Sequence, residues 1–541
     1  MPRSCRPPLL ALLTLLLSAA FTAASAWAST TQAAILQDQV HVLGDPVDTM
    51  VVLRSLGVSE VRIFLPWGAI APRLSSRTRP RGFDAADPGD YPAAGWAPYD
   101  AAVEAATADG IGVYFDFLGP VPLWASTAPP SGIGTHNPYV YEPDAHQFGD
   151  FVTAVGTRYG GGYTPAGSPS PLPRVKFWGI WNEPNYGPDL QPQAIGGVEV
   201  APALYRGLLD DAWSALQATG HGHDTILIGE TAPRGAANPG VANGTLPLRF
   251  LRALYCVDAS FQELRGRAAS ARGCPPSAAA ARRFRSQNPA LFQASGFAAH
   301  MYTLRQQAPP DLPTPASEPD WAGLADVTKL ERTLDRLNAI YGSHARLPIY
   351  NTEFGFQTNP PRPQCGCVSL SPATAAYYMN WSEYLMWRNP RIRSYSQYLL
   401  SDGAVPQHPN ESNFSSGLEF PNGRHKPGFD AFRLPLYLPI TTTGPGRTLE
   451  VWGGVRPAPY AQRDTGSRQH ALIQFQRGSR GRWRTVRRVT ITNSAGYFEL
   501  PVAFPASGSV RLQWTYPPPS AFLAYAAPET VTSRTQTITV R

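Results

Sequence analysis

The sequence predicts a (β/α)8 barrel followed by a small all-β sandwich of Ig-like type. Three observations carry that expectation. From residue 33 onward, eight short apolar runs alternate with segments of helical period, the mark of a parallel sheet covered by helices. Two of those runs close on a carboxylate followed by a residue that breaks structure. Beyond residue 446 the pattern changes to short alternating segments between Gly, Pro and Ser, which is sandwich patterning.

The first residues read as a targeting signal. Arg3 and Arg6 precede an apolar run from Leu9 to Ala20, and Ala24-Ser25-Ala26 and Ala26-Trp27-Ala28 both fit a small-residue cleavage site. Residues 1–28 are therefore expected to be removed, and the mature protein to be secreted. The apolar run is short for a membrane span, and no other segment approaches spanning length. Four of the five cysteines lie beyond the signal, an even count suited to an oxidising compartment. Cys256 with Cys274 closes a local loop and leaves Cys365 to pair with Cys367 across one residue; cross-pairing between the two loops is the alternative. No histidine lies at ligand spacing beside them, so no metal site is expected there.

Residues 29–440 are assigned to the barrel. Its eight strands are placed at 33–37, 61–66, 112–118, 175–181, 225–230, 296–301, 348–353 and 394–400. Helices are expected over 46–56, 97–109, 144–158, 203–218, 324–341 and 373–388. In such a barrel the residues at the carboxyl ends of the strands carry the chemistry. The second run sets Arg62 inward among apolar neighbours, where a guanidinium needs a carboxylate partner, and ends at Trp67. The third leads into Pro122-Leu123-Trp124-Ala125. The fourth, Phe177-Trp178-Gly179-Ile180-Trp181-Asn182-Glu183-Pro184-Asn185, halts at a proline without an amide hydrogen, which leaves Glu183 on the strand's tip. The fifth ends in Gly229-Glu230-Thr231, the sixth in His300-Met301-Tyr302, and the seventh in Asn351-Thr352-Glu353-Phe354-Gly355. The eighth carries Gln397 and Tyr398.

Trp181-Asn182-Glu183-Pro184-Asn185, followed about half a barrel later by Thr352-Glu353-Phe354-Gly355, resembles the retaining glycoside hydrolases of clan A. The nearest look-alikes are the cellulase-like family 5 and family 39 enzymes, and the resemblance spans residues 33–436. It implies a glycosidase that cleaves O-glycosidic bonds of a poly- or oligosaccharide, with Glu183 as acid/base and Glu353 as nucleophile. It further implies that Asn182 binds the sugar 2-hydroxyl, that Arg62 and Tyr302 hold Glu353, and that Trp124 builds a sugar platform. Glu230, His300, Trp67, Gln397 and Tyr398 complete the expected substrate contacts. The eighth run departs from the pattern, because many clan members have a tryptophan there. Retention needs the two carboxyls about 5–5.5 Å apart, one attacking while the other donates a proton. No cofactor or metal is implied. A transglycosylase using the same intermediate, or a glycan-binding protein on an inactive barrel, are the alternatives; the sugar and linkage are not readable.

The stretch 434–445 is expected as a linker to the C-terminal domain, 446–541. Its strands are placed at Thr448–Trp452, His470–Gln476, Arg487–Thr492, Gly496–Val502, Val510–Trp514 and Thr535–Val540. This domain holds 13 arginines against 4 acidic residues, a net +9 in a chain of net +7. Such asymmetry suggests an anionic partner, such as acidic polysaccharide, cell wall or membrane surface. The export signal argues against nucleic acid.

Overall fold

The computed structural model describes residues 29, 31–134, 136–303, 307–361, 369–403, 414–518 and 529–541. The leader 1–28, Cys365 and Cys367 lie outside them.

The barrel strands are β1 (Ala33–Gln37), β2 (Glu60–Pro66), β3 (Gly112–Leu118), β4 (Phe177–Ile180), β5 (Thr225–Thr231), β6 (Gly296–Ala299), β7 (Ile349–Asn351) and β8 (Ser394–Tyr398). Every neighbouring pair is parallel, in the order β8-β1-β2-β3-β4-β5-β6-β7. The barrel closes between β7 and β8: Ile349 N donates to Arg391 O at 2.9 Å, and Arg393 N donates to Ile349 O at 2.8 Å. Eight strands in the predicted order, with ends within three residues of those expected, bear out the sequence pattern.

The outer helices are α1 (Pro46–Leu56), α2 (Ala93–Ala108), α3 (Ala145–Arg158), α4 (Ala201–Ala218), α5 (Pro247–Leu254), α6 (Val327–Ile340), α7 (Pro372–Arg388) and α8 (Pro427–Arg433). Capping explains several starts. Asp45, Asp144 and Ser371 accept backbone N–H groups at the first turns of α1, α3 and α7, satisfying donors that have no intrahelical partner.

The barrel interior is layered. Its floor is apolar, built from Ile35, Tyr114, Phe177, Leu227 and Ala298 with Tyr350 packed against them. Two residues further along each strand the side chain faces inward again, so the next layer is Gln37, Asp116, His300 and Thr352, joined by Arg62. Polar groups therefore stand on an apolar plug. Strand β5 departs from this alternation. Its register to β6 shifts between Ile228 and Thr231, and this bulge turns Glu230 into the polar layer where Gly229 would otherwise stand. On β4, Gly179 is needed for a different reason: a Cβ there would lie 2.4 Å from the Tyr114 hydroxyl.

The C-terminal region forms two sheets. The smaller is β9 (Leu436–Tyr437), β11 (Thr448–Gly454) and β14 (Tyr497–Ala503); the larger runs β10 (Thr442–Thr443), β17 (Gln536–Val540), β15 (Gly508–Thr515), β12 (His470–Arg477), β13 (Arg484–Thr490), with β16 (Thr530–Thr532) also on β15. All pairings are antiparallel except β10 with β17. The expected linker 434–445 is instead woven into both sheets, since β9 pairs with β11 and β10 with β17.

This region is fastened to the barrel by buried polar contacts. Arg456 donates to Glu383 of α7 at 2.5 Å, both side chains being almost fully buried, and the Tyr497 hydroxyl donates to the same carboxylate. The Tyr460 hydroxyl reaches Val58 O at 2.7 Å, and Tyr516 reaches Ser55 O at 2.6 Å. Gly57 has φ +79°, and any side chain there would run into the Arg456 carbonyl.

Candidate active site

The polar layer opens into a cleft of about 710 Å3 at the carboxyl ends of the strands. Glu183, Tyr302 and Glu353 line it, together with Tyr186, Arg234, Trp321 and Phe414. A carboxylate oxygen of Glu183, one of Glu353 and a ring nitrogen of His300 all lie within 4.8 Å of one another.

Backbone geometry presents the first glutamate. Trp181 and Glu183 have φ of +73° and +39°, and Glu230 on the neighbouring strand has +46°. Side chains at positive φ cost free energy, of order 1–3 kcal/mol each, and such strain gathers at functional sites. It is held by cross-strand bonds: Asn182 N donates to Phe117 O and Glu183 N to Glu230 O, both at 3.0 Å. Beyond the strand, the Asn185 amide ties this loop to Ala232 through N–H and C=O contacts of 2.8 and 3.1 Å.

Arg62 is the hub. Fully buried, it donates to Glu353 (2.9 Å), Asp116 (2.6 Å), Asn182 (2.8 Å) and Glu230 (3.2 Å), and also to Gln37. Desolvation opposes its charge, but Glu230, Asp116 and Glu353 outweigh it and keep the guanidinium charged. Burial pushes Asp116 up to about 6 even against Arg62 and His300. Glu230 ends below its ordinary value: burial raises it, and Arg62, His300 and Thr352 together pull it down further.

His300 links the two ends of this network. Its Nδ1 lies 2.7 Å from Glu183 Oε1 and its Nε2 3.0 Å from Glu230 Oε2. Burial alone would discharge it, but Glu353, Glu183 and Glu230 raise it to about 10. Both ring nitrogens are thus engaged by carboxylates, Glu183 on one side and Glu230 on the other. Glu353 is held from two sides. The Tyr302 hydroxyl donates to Oε1 at 2.8 Å and Arg62 to Oε2 at 2.9 Å.

The other residues expected to touch substrate differ in burial and in what they pack against. Trp67 is fully buried and stacks on Phe151 of α3, so it belongs to the layer between strands and helices. Trp124 is half-buried against Trp67 and Phe83, and its indole N–H donates to Pro72 O at 3.0 Å. Gln397 is buried with its amide on the carbonyls of Tyr398, Leu399 and Ser416. Glu230, Arg62 and His300 are fully buried and act on Glu183, Asn182 and Glu353, beneath the cleft. Tyr398 is half-buried near Glu353; burial and then that carboxylate raise its phenol. Asn182 is nearly buried, spent between Arg62 and the Asp189 carboxyl at 3.0 Å.

Asp189 was not singled out by the sequence, and neither were Trp321, Arg234 and Phe414. Burial first, then Glu183, hold Asp189 well above the usual carboxylate range. Away from the site, a disulfide joins Cys256 and Cys274, the local pairing of the two expected arrangements.

No family model matches the chain, and no curated protein matches it. Among solved structures it is similar to a family 39 glycoside hydrolase from the gut symbiont Bacteroides cellulosilyticus WH2, at 15% identity and TM-score 0.44, over 88% of this chain and 79% of that one. It is also similar to GH5_18 from Streptomyces cattleya in complex with GlcNAc, at 15% identity and TM-score 0.43, over 77% and 84% of the two chains. A family 1 β-glucosidase from Thermotoga maritima matches at 15% identity and TM-score 0.40, over 70% and 81%.

Proposed function

We propose that this protein is a retaining glycoside hydrolase, with Glu353 as nucleophile and Glu183 as acid/base. The observation that carries the reading is the spacing: carboxylate oxygens of Glu183 and Glu353 lie within 4.8 Å across an open cleft. A retaining pair stands about 5–5.5 Å apart and an inverting pair roughly 6.5–9.5 Å, and this close approach of two oxygens favours the first.

The surroundings divide the roles. Glu353 receives Arg62 and Tyr302, which aim it at the anomeric carbon. Attack forms a C–O bond to Glu353 as the bond to the leaving oxygen breaks, and that oxygen takes a proton from Glu183. Glu183 Oε1 is occupied by His300, so Oε2 carries the proton. In the second step Glu183 removes a proton from water, which attacks the anomeric carbon and releases Glu353. The His300 imidazolium then balances the charge that Glu183 acquires. Trp321 and Tyr186 on the cleft walls offer flat apolar faces to a sugar ring.

The protein acts outside the cell in this reading, supported by the leader-like first residues and the Cys256–Cys274 disulfide. Among the described residues no helix is long and apolar enough to cross a membrane.

Azide distinguishes the two glutamates. Glu183→Ala should accumulate a glycosyl-enzyme from a dinitrophenyl glycoside, and azide should release it with the substrate's own anomeric configuration. Glu353→Ala should give the opposite anomer. Exchanged products reverse the assignment, and wild-type turnover in either variant refutes the site.

A further inference from the structure

The β12–β13 hairpin carries a charge that no acidic residue near it in sequence answers. From Thr465 to Phe498 the chain has no aspartate or glutamate, yet seven arginines lie between Arg468 and Arg488. All seven are exposed, and none forms a salt bridge among the described residues. Among the described residues strand β13 is an edge of its sheet, so Arg484, Arg487 and Arg488 stand along a rim. The field reaches a neighbour: after burial, Arg488 and Arg468 lower the His470 imidazole.

A charged residue or two is enough to keep an edge strand from pairing with another chain. Seven like charges repel one another and weaken the compact state unless an anion covers them. The cleft, lined by the carboxylates of Glu183 and Glu353, also has one cation on its wall. Arg234 is exposed there and makes no ion pair among the described residues.

We infer that the β12–β13 hairpin is a docking surface for a carboxylate-bearing polysaccharide, and that the cleft acts on the same class of polymer. The second half rests on the glycosidase reading above; the first rests on charge and topology. Arginine forks pair with carboxylates bidentately, and with Arg484 and Arg487 on one face of the edge strand and Arg488 on the other, an extended polymer lying along the edge meets forks from both sides. Single-stranded nucleic acid would need free aromatic faces for its bases. The hairpin's one tryptophan, Trp483, is capped by Arg511 at 4.2 Å. A membrane surface would be expected to meet apolar side chains, and no large exposed hydrophobic residue lies in this segment.

The test is binding of the full chain to immobilised polygalacturonate, a neutral β-glucan and a short DNA duplex. Retention on polygalacturonate alone is expected at ~50 mM salt and should be lost near ~500 mM, where screening shortens to a few ångströms. Arg484→Ser/Arg487→Ser/Arg488→Ser should weaken it by about tenfold, the sum of three exposed ion pairs. The same variant should keep its circular dichroism and its turnover of a small aryl glycoside. No retention on polygalacturonate, equal retention of the triple variant, or equally tight binding of the duplex or the neutral glucan would each overturn the docking surface. Retention with no turnover of any glycoside would sink the glycosidase reading and leave the surface standing. Turnover confined to neutral polymers would refute the shared substrate class.

Discussion

His300 Nδ1 lies 2.7 Å from Glu183 Oε1, with the Glu230 carboxylate on the opposite ring nitrogen. A buried imidazolium between two carboxylates fixes one oxygen of Glu183 and leaves the other free for chemistry. Its charge survives burial only because Glu353, Glu183 and Glu230 surround it.

Removing that charge should slow turnover without emptying the cleft. His300→Gln is expected to lose roughly 10²–10³ in kcat, the scale of a lost charge-stabilising donor, with KM changed much less. Steady-state kinetics on an aryl glycoside, beside near-ultraviolet circular dichroism, checks it. Unchanged kcat in a folded variant would remove His300 from the machinery.

The same histidine predicts a pH dependence of stability. Its folded value, about 10, lies above the ordinary 6.5, so folding favours the protonated form. The stabilisation is fully present below about pH 6.5 and is lost as pH rises through about 10. Urea midpoints across that range should fall for the wild type, and fall less for His300→Gln.

Tyr302→Phe removes the hydroxyl that donates to Glu353 at 2.8 Å. A hydrogen bond to a charged group contributes about 1.5–3 kcal/mol, so roughly 10- to 100-fold should be lost in kcat/KM. Because the phenol orients the nucleophile, burst kinetics with a dinitrophenyl glycoside should show a slower first step.

The disulfide gives a stability prediction away from the site. Cys256 and Cys274 are 18 residues apart in sequence. Closing such a loop stabilises by about 3 kcal/mol in the chain-entropy account. Cys274→Ser should lower the unfolding midpoint accordingly, and denaturant titration of the non-reduced proteins measures it.

Glu383→Ala should cost more, about 3–5 kcal/mol, because it strands the buried guanidinium of Arg456. Replacing both partners with apolar residues should recover much of that loss. A double-variant cycle in urea separates the two effects.

Much of this architecture was legible because alternation along a strand is a strict rule. It put Arg62 inside the barrel and the two glutamates at strand tips, where they stand. Glu230 escaped the rule: a register shift on β5 turned it beneath the cleft, and a bulge leaves little trace in sequence. Trp67 faces the helices, which a tryptophan at a strand end can do as readily as face the cleft. Gln397 pairs with Leu36 on the face turned to the helices, and it is its neighbour Tyr398 that pairs with the inward Gln37. Asp189, Arg234 and Trp321 come from loops, whose paths no period describes.

The contacts between Glu383, Arg456 and Tyr497 also bear on how such a chain can change over generations. An accessory module on a flexible tether can be lost, duplicated or exchanged with little effect on its neighbour. Here a recombination point near residue 440 would separate a buried acid from its base and bare the backbone around Gly57 and Val58. The basic region and the barrel are therefore expected to be inherited as one piece, and any change in the hairpin's charge to arise by point substitution on its exposed rim.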